Sequence, residues 1–409
     1  MAARPAPVRP LLLLGALSVV NLLNFIDRQV LFAVFPAVKA DLGLSDAELG
    51  LAGSAFIVVY MFVTPITGLL GDRLHRPRLI ALGVGLWSAA TALSASARSV
   101  SQLLIARAAV GVGESCYAPL CTSMIGDSFP PSRRAASLAV FNVAVPVGSA
   151  LGYLLGGTIG AHFGWRAAFY VVGLPGLLLA LVLAVFPDPP RGAMDPPGHT
   201  APGATRVRTL MVDPLFAVTT SAMAALTFVL GALAAWLPTY LVRIHGLSLA
   251  EAGASFGALT ALTGLLGTAL GGWLGDRAAG GDARGYLRVS AIGLLLAAPV
   301  TLLAIASSHP AVFWCSTAVA EVLVFLNVGP LNAVIVGTAA PAIRASAVAA
   351  NVFAIHFFGD AISPWLVGLV SDRYGLRWGL ALLAPILAIS GSLCLLGGRF
   401  VADKPEESP

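Results

Sequence analysis

The chain has 409 residues, 58% of them hydrophobic and only 11% charged, with a formal net charge of +5. A soluble globular domain holds about 45–50% apolar and about 25% charged residues, so the composition excludes that class and points to a polytopic membrane protein. Long continuous apolar runs argue for helices, since a membrane β-barrel shows alternating segments of about 10 residues.

The N-terminal stretch MAARPAPVRPLLLLGALSVV has basic residues before a leucine run, as a signal peptide does. The apolar run continues to Phe35 without an early A-x-A site, so it reads as an uncleaved first span. Twelve spans are predicted in chain order: 11–36, 48–71, 79–98, 102–126, 135–160, 166–187, 214–242, 250–275, 286–307, 311–338, 344–370 and 376–398. One connection stands out, residues 188–213, rich in Pro, Gly and charge. It reads as a linker between two six-helix bundles, residues 1–187 and 214–409.

Placing both termini in the cytoplasm puts 16 of the 24 Lys and Arg residues in inside segments and six outside, while Arg28 and Arg107 lie within spans. This is the positive-inside bias. The +5 charge is therefore a topology signal and not a nucleic-acid footprint. The four cysteines, Cys116, Cys121, Cys315 and Cys394, all fall in apolar runs, which makes them small buried hydrophobes rather than a disulfide or metal framework. Walker, H-E-x-x-H and dinucleotide motifs are absent, so the sequence offers no cofactor, no metal site and no enzyme.

The chain repeats itself. GLLGDRLHRPR begins at Gly68 and GGWLGDRAAGGDAR at Gly271, so that Asp72 and Asp276 are 204 positions apart. GTIGAHFGWR at Gly157 is echoed by GLVSDRYGLR at Gly368, 211 positions on. Two offsets near half the chain length indicate two six-helix repeats, the architecture of secondary transporters.

The GLLGDRLHRPR segment resembles the signature loop of the major facilitator superfamily, with Pro77 in place of the usual basic residue and Arg78 following it. NLLNFIDR, RAAVGVGESCYAP, NVAVPVGSALGYLLGG and PDPPRG resemble the spinster family of lipid transporters, with Phe25 for the more usual Tyr and Ser115-Cys116 for Ala-Ser. That resemblance covers the N-terminal half. It implies a major facilitator fold, a monomer, and an amphipathic lipid substrate such as a lysophospholipid or sphingosine phosphate. Proton-driven drug export and organic-anion transport are alternatives within the fold, and a non-transporting receptor or scaffold is an alternative outside transport. The Ala- and Arg-rich composition suggests a bacterial inner membrane.

Candidate functional residues follow from intramembrane charge. Asp27 and Arg28 are adjacent in the first span. A charge at the bilayer centre costs roughly 3 kcal/mol on the lenient insertion scale, and neighbours on a helix point about 100° apart, so each needs a partner elsewhere. Arg107 and Glu114, seven residues apart on the fourth span, share one face and offer those partners. A carboxylate beside an arginine stays ionised and one left alone in an apolar cavity gains a proton, which makes Asp27 and Glu114 the expected proton carriers. Arg28 and Arg107 are then the charge partners and head-group ligands. Asn24, Tyr117 and Asn142 are expected beside them, and His356, Asp360 and Glu321 are the second-half candidates. At the cytoplasmic end, Gly71, Asp72, Arg73 and Arg76, with Asp276 and Arg277 in the repeat, are expected to form a gate whose acids pair with a helix N-terminus or an arginine. Pro146 with Gly148, Gly152 and Gly156 reads as a packing stripe or hinge in the fifth span.

Overall fold

The structure is a computed structural model and describes residues 9–194, 213–280, 282–339 and 343–402. Among these, regular structure is helical throughout. The chain runs α1 (Pro10–Ala33), α2 (Phe35–Leu42), α3 (Asp46–Arg73), α4 (Arg76–Ser94), α5 (Val100–Glu114), α6 (Ala118–Ser128), α7 (Pro131–Phe163), α8 (Trp165–Ala184), α9 (Pro214–His245), α10 (Leu249–Ala279) and α11 (Ala283–Ala306). It continues as α12 (Pro310–Phe325), α13 (Val328–Thr338), α14 (Arg344–Ile355), α15 (Ser363–Tyr374), α16 (Leu376–Ala381) and α17 (Leu383–Ala402). Residues 195–212 of the predicted linker lie outside the described residues.

Ten of the helical stretches are long and apolar enough to cross a bilayer. The predicted third and fourth spans fall outside that group for physical reasons. The third corresponds to α4, a 19-residue helix that opens on Arg76 and Arg78. The fourth is interrupted after Glu114: α5 stops there and α6 restarts with Pro119 in its first turn. Proline lacks the N–H that a continuous helix needs and its ring clashes with the preceding turn. The predicted tenth span has a shorter break between α12 and α13, with Pro330 in the restart, and the stretch Pro310–Thr338 remains one of the ten. The eleventh contains a π-helical turn, His356–Asp360, with Gly359 at φ −104° and ψ −105°. The first span also ends differently from its prediction: Val34 breaks the helix and α2 extends the chain to Leu42 before Gly43 turns it with φ 66°.

Two compact units divide the chain. The first takes in the described parts of Met1–Leu44, Leu51–His199 and Leu241–Gly257, and the second those of Ser45–Gly50, Thr200–Tyr240 and Ala258–Pro409. Inside the first unit, α1 lies along α7 and α4 packs between α5 and α8. Buried Leu13, Leu17, Val20, Val84, Trp87, Val110 and Met124 form its core. Inside the second, α11 is packed against α12 and α17. Many large apolar side chains point outward, among them Leu82 at 71% exposure and Leu181 at 70%, as lipid contact requires. Cys116, Cys121 and Cys394 are buried, but Cys315 is exposed on α12, because a lipid-facing apolar residue has no need of a protein neighbour.

The internal repeat extends to the backbone. GLSDAELG at Gly43 recurs as GLSLAEAG at Gly246, 203 positions on. Gly43 and Gly246 take φ of 66° and 70°, and Gly164 and Gly375 take 83° and 91°. Both helix starts carry a capping box: Ser45 with Glu48 on α3, and Ser248 with Glu251 on α10.

Candidate functional site

Glycines set the first unit's site. On α7, a Cβ at Gly148 would lie 2.8 Å from the Leu22 carbonyl oxygen, one at Gly152 would lie 2.6 Å from that of Ile26, and one at Gly156 would lie 2.9 Å from the Ala33 Cβ. The stripe therefore presses α7 onto the backbone of α1, and α7 runs unbroken through Pro146. In this arrangement the stripe is a packing surface. On α5, Gly111 abuts the Phe56 carbonyl of α3 and Gly113 abuts the Gly83 carbonyl of α4. GVGE is thus a close-packing device that wedges α5 between two helices and delivers Glu114 to the core.

The packing brings four charges together within the first unit. Arg28 Nε donates to Glu114 Oε2 at 2.8 Å, and Arg107 Nη1 lies 3.6 Å from Asp27 Oδ1. Asp27, Arg107 and Glu114 are at most 2% exposed. Thr91 on α4 donates to Asp27 Oδ2 at 2.5 Å. The Arg28 guanidinium sits among Phe25, Phe56 and Tyr60, 4.8–5.2 Å from the ring centroids, and the Arg107 guanidinium is 5.6 Å from the Phe56 centroid. Aromatic faces stabilise a cation that has lost its water. Several polar atoms here make no hydrogen bond among the described residues: Asp27 Oδ1, Glu114 Oε1, Arg107 Nε and both amide atoms of Asn24. Asn24 is completely buried. Buried polar atoms are nearly always satisfied, so this cluster holds capacity for further partners.

The remaining predicted residues fall in several places. Tyr117 is buried and donates to Asn21 Oδ1 at 3.1 Å, while the Asn21 amide donates to the Phe141 carbonyl at 2.8 Å. Its hydroxyl is thus hydrogen-bonded to an amide, within electrostatic reach of Arg28 and Glu114. Asn142 is exposed on α7. In the second unit, Glu321 is 3% exposed and accepts from the Thr263 hydroxyl at 2.6 Å and the Thr260 hydroxyl at 3.1 Å. It also borders a small cavity of about 20 Å³ next to Thr317 and Phe313. His356 Nδ1 and Asp360 Oδ1 are 2.9 Å apart, spanning the π turn.

At the loop after α3, Asp72 and Arg73 are exposed, and Gly71 closes against Leu120. Arg76 is 1% exposed and pairs with Asp127 and with Asp188, whose Oδ1 accepts from Nε at 2.8 Å. Arg191 donates to the Gly71 and Leu74 carbonyls at 2.8 and 2.6 Å. The PDPPRG segment therefore straps the loop within the first unit. In the repeat, Asp276 accepts from Tyr286 at 2.8 Å and Arg277 lies over Trp273.

The sequence reading missed Thr91, Asn21, Phe56, Tyr60, Asp127, Asp188, Thr260 and Thr263. The acids Asp127 and Asp188 flank apolar spans and carried a usable charge signal. The hydroxyls carried none, since Ser and Thr in membrane helices mostly bond their own backbone.

The chain matches the Major Facilitator Superfamily over residues 17–364. Human "Protein spinster homolog 1" is 32% identical over 415 residues, covering 95% of this chain and 78% of the relative. The zebrafish "Sphingosine-1-phosphate transporter SPNS2" is 31% identical, covering 96% of this chain and 83% of the relative. The chain belongs to the spinster family of the major facilitator superfamily. A solved bacterial homologue of the human lysosomal transporter spinster, described as inward-facing and unoccupied, superposes on this spinster-family chain with a TM-score of 0.90. The two are 26% identical, and the superposition covers 98% of this chain and 99% of that one. The spinster chain is accordingly an integral multi-pass membrane transporter, not an enzyme.

Proposed function

We propose that this protein is a proton-coupled carrier of a single-tailed lipid with an anionic head group, working by alternating access between two six-helix halves, residues 1–187 and 214–409. The observation that carries this reading is the buried set of two acids and two arginines, Asp27, Glu114, Arg28 and Arg107. A static ion-pair cluster gains little stability over apolar packing, so its presence favours a working role. The chemistry is partner exchange. An anionic head group competes for Arg28, which is the more open of the four at 20% side-chain exposure. Glu114, left by its arginine in apolar surroundings, then binds a proton. Asp27 plays the same part opposite Arg107. Asn24, with both amide atoms unpartnered, serves whichever charge is exposed. In the second half, Glu321 and the His356–Asp360 pair supply further polar contacts for the head group. The loop residues Gly71, Asp72, Arg73 and Arg76, with Asp276 and Arg277, act as the gate on the cytoplasmic side, where the arginine bias puts both termini. A bacterial inner membrane and a monomeric carrier complete the reading.

A sphingosine-1-phosphate transporter among the relatives supports a tail-and-anion substrate. The test is uptake of a labelled lysophospholipid into proteoliposomes with and without a pH gradient, for wild type, Asp27→Asn and Glu114→Gln. Gradient-dependent uptake lost in both variants is expected. Lipid uptake indifferent to gradient and variants overturns the coupling. Gradient-driven flux of a lipophilic cation with no lipid movement replaces the lipid carrier with a drug exporter.

A further inference from the structure

The two capping boxes open helices that make matching contacts. In the first unit, the start of α10 packs on α7: a Cβ on Gly157 would overlap the Leu249 carbonyl, and one on Gly253 would overlap that of Tyr153. In the second unit, which includes residues 45–50, the start of α3 packs on α15. A Cβ on Gly368 would overlap the Asp46 carbonyl, and one on Gly50 would overlap that of Pro364. Gly50 and Gly253 are 203 positions apart, and Gly157 and Gly368 are 211 apart. The two contacts are therefore copies related by the internal repeat, down to the serine and glutamate of each capping box.

They differ in their polar contacts. Asp372 Oδ1 and Oδ2 accept from the backbone N–H groups of Asp46 and Ala47, each at 2.8 Å. The Ser371 hydroxyl donates to Asp46 Oδ2 at 2.5 Å. Asp372 thus holds the N-terminus of α3 with both oxygens, where the helix dipole favours an anion. At the repeat-related positions of α7 the chain has Gly160 and Ala161. That copy of the contact is sealed by glycine packing and by the edge-on Tyr153 and Phe256 rings, whose centroids are 4.7 Å apart. The N–H groups corresponding to those of Asp46 and Ala47 belong to Leu249 and Ala250.

We propose that Asp372, with Ser371, is a one-sided latch. It fastens α15 to the start of α3 at the membrane face opposite the signature loop, and its release sets how readily that end opens. The proposal rests on the alternating-access reading, in which α3 moves with one half and α15 with the other. A contact of glycines and aromatic rings separates without leaving a carboxylate or its N–H partners unpaired. The Asp372 contact leaves two first-turn N–H groups without their acceptor, and this makes it the slower of the two to part. The asymmetry gives the carrier a bias that its repeat alone would not have.

The experiment is pulsed electron paramagnetic resonance in lipid nanodiscs, with spin labels at Ala40→Cys and Trp378→Cys in a Cys315→Ser background. Both label sites are exposed. Wild type is expected to show a short-distance and a long-distance population that exchange with pH or lysophospholipid. Losing a helix cap costs about 1 kcal/mol, so Asp372→Ala should raise the long-to-short ratio about fivefold. Asp372→Asn, which keeps one acceptor oxygen, should fall between. Ala161→Asp installs the missing acid on the other copy and should lower the ratio by a similar factor. This second variant keeps the test open if Asp372→Ala folds poorly. Two exchanging populations in wild type with ratios unchanged in Asp372→Ala and Ala161→Asp overturn the latch alone. A single wild-type population under all conditions overturns the alternating-access reading and the latch with it.

Discussion

Replacing Arg107 with methionine removes the charge opposite Asp27 while keeping much of the side-chain volume. Arg107 is 1% exposed and Asp27 2%, so little water reaches either. Asp27 Oδ2 keeps the Thr91 hydroxyl, but Oδ1 loses its ion-pair contact at 3.6 Å. Removing one member of a buried pair costs about 3–5 kcal/mol, because the other charge is left uncompensated. The separation is longer than the 2.8 Å of Arg28 and Glu114, which places the cost near the lower end, about 3 kcal/mol. Asp27→Asn strands Arg107 in the same way and should cost a similar amount. The double variant Asp27→Asn/Arg107→Met strands neither, so it should be no worse than one single variant, with a coupling of about 3 kcal/mol. Chemical unfolding in detergent micelles, followed by tryptophan fluorescence, closes the cycle. Losses that add to within about 0.5 kcal/mol would show the two residues to be energetically independent and refute the reasoning.

Two other predictions concern packing and the outer rim. Gly152→Ala puts a methyl 2.6 Å from the Ile26 carbonyl oxygen, where backbone cannot yield, and should destabilise by about 1–3 kcal/mol; Gly15→Ala, with nothing within 4 Å, should be neutral or slightly stabilising, and equal losses in the two would contradict the packing account. Past the end of the first span, the hydrogen bond from Arg166, at 2.6 Å, holds the Asp41 carboxyl below its ordinary value of 3.8. Its contribution is then present above pH 3.8 and lost as pH falls through the lower folded-state value, so the melting-temperature gap between wild type and Asp41→Asn should persist at neutral pH and close in strong acid.

Particular residues show what could be read and what could not. Asp27, Arg28, Arg107 and Glu114 were legible because a charge in an apolar run is costly and must be matched. Their cross-pairing, Arg28 with Glu114 and Arg107 with Asp27, was not, since spacing on one helix says nothing of the rotation of another. That rotation follows from Gly111 and Gly113 on α5 and from the Gly148 stripe on α7, where an added Cβ would meet the neighbouring helix at under 3 Å. Thr91 and Thr263 were illegible for a related reason. A hydroxyl in an apolar run costs little to leave bonded to its own helix, so only its position in space reveals that it holds an acid.

The gate residues divide in the same way. The signature loop announced Arg76, but its partners Asp127 and Asp188 lie 51 and 112 positions away and meet it only through folding. The breaks at Pro119 and Pro330 were written in the sequence as prolines, yet a proline is equally compatible with the unbroken α7 around Pro146. Whether the ring's lost hydrogen bond ends a helix depends on what the neighbouring helices supply.

Sequence alone determined that the chain lives in a membrane, that it repeats at half its length, and which charges have no business in lipid unless they are used. These follow from composition and periodicity, because hydration free energies act on each residue whatever its neighbours. Tertiary structure alone decided which acid meets which arginine, that Arg76 is strapped inside its own unit, and that Asp372 caps α3 while its counterpart Ala161 caps nothing. Those depend on contacts between segments 51 to 326 residues apart, and short-range packing forces settle them only once the helices are side by side.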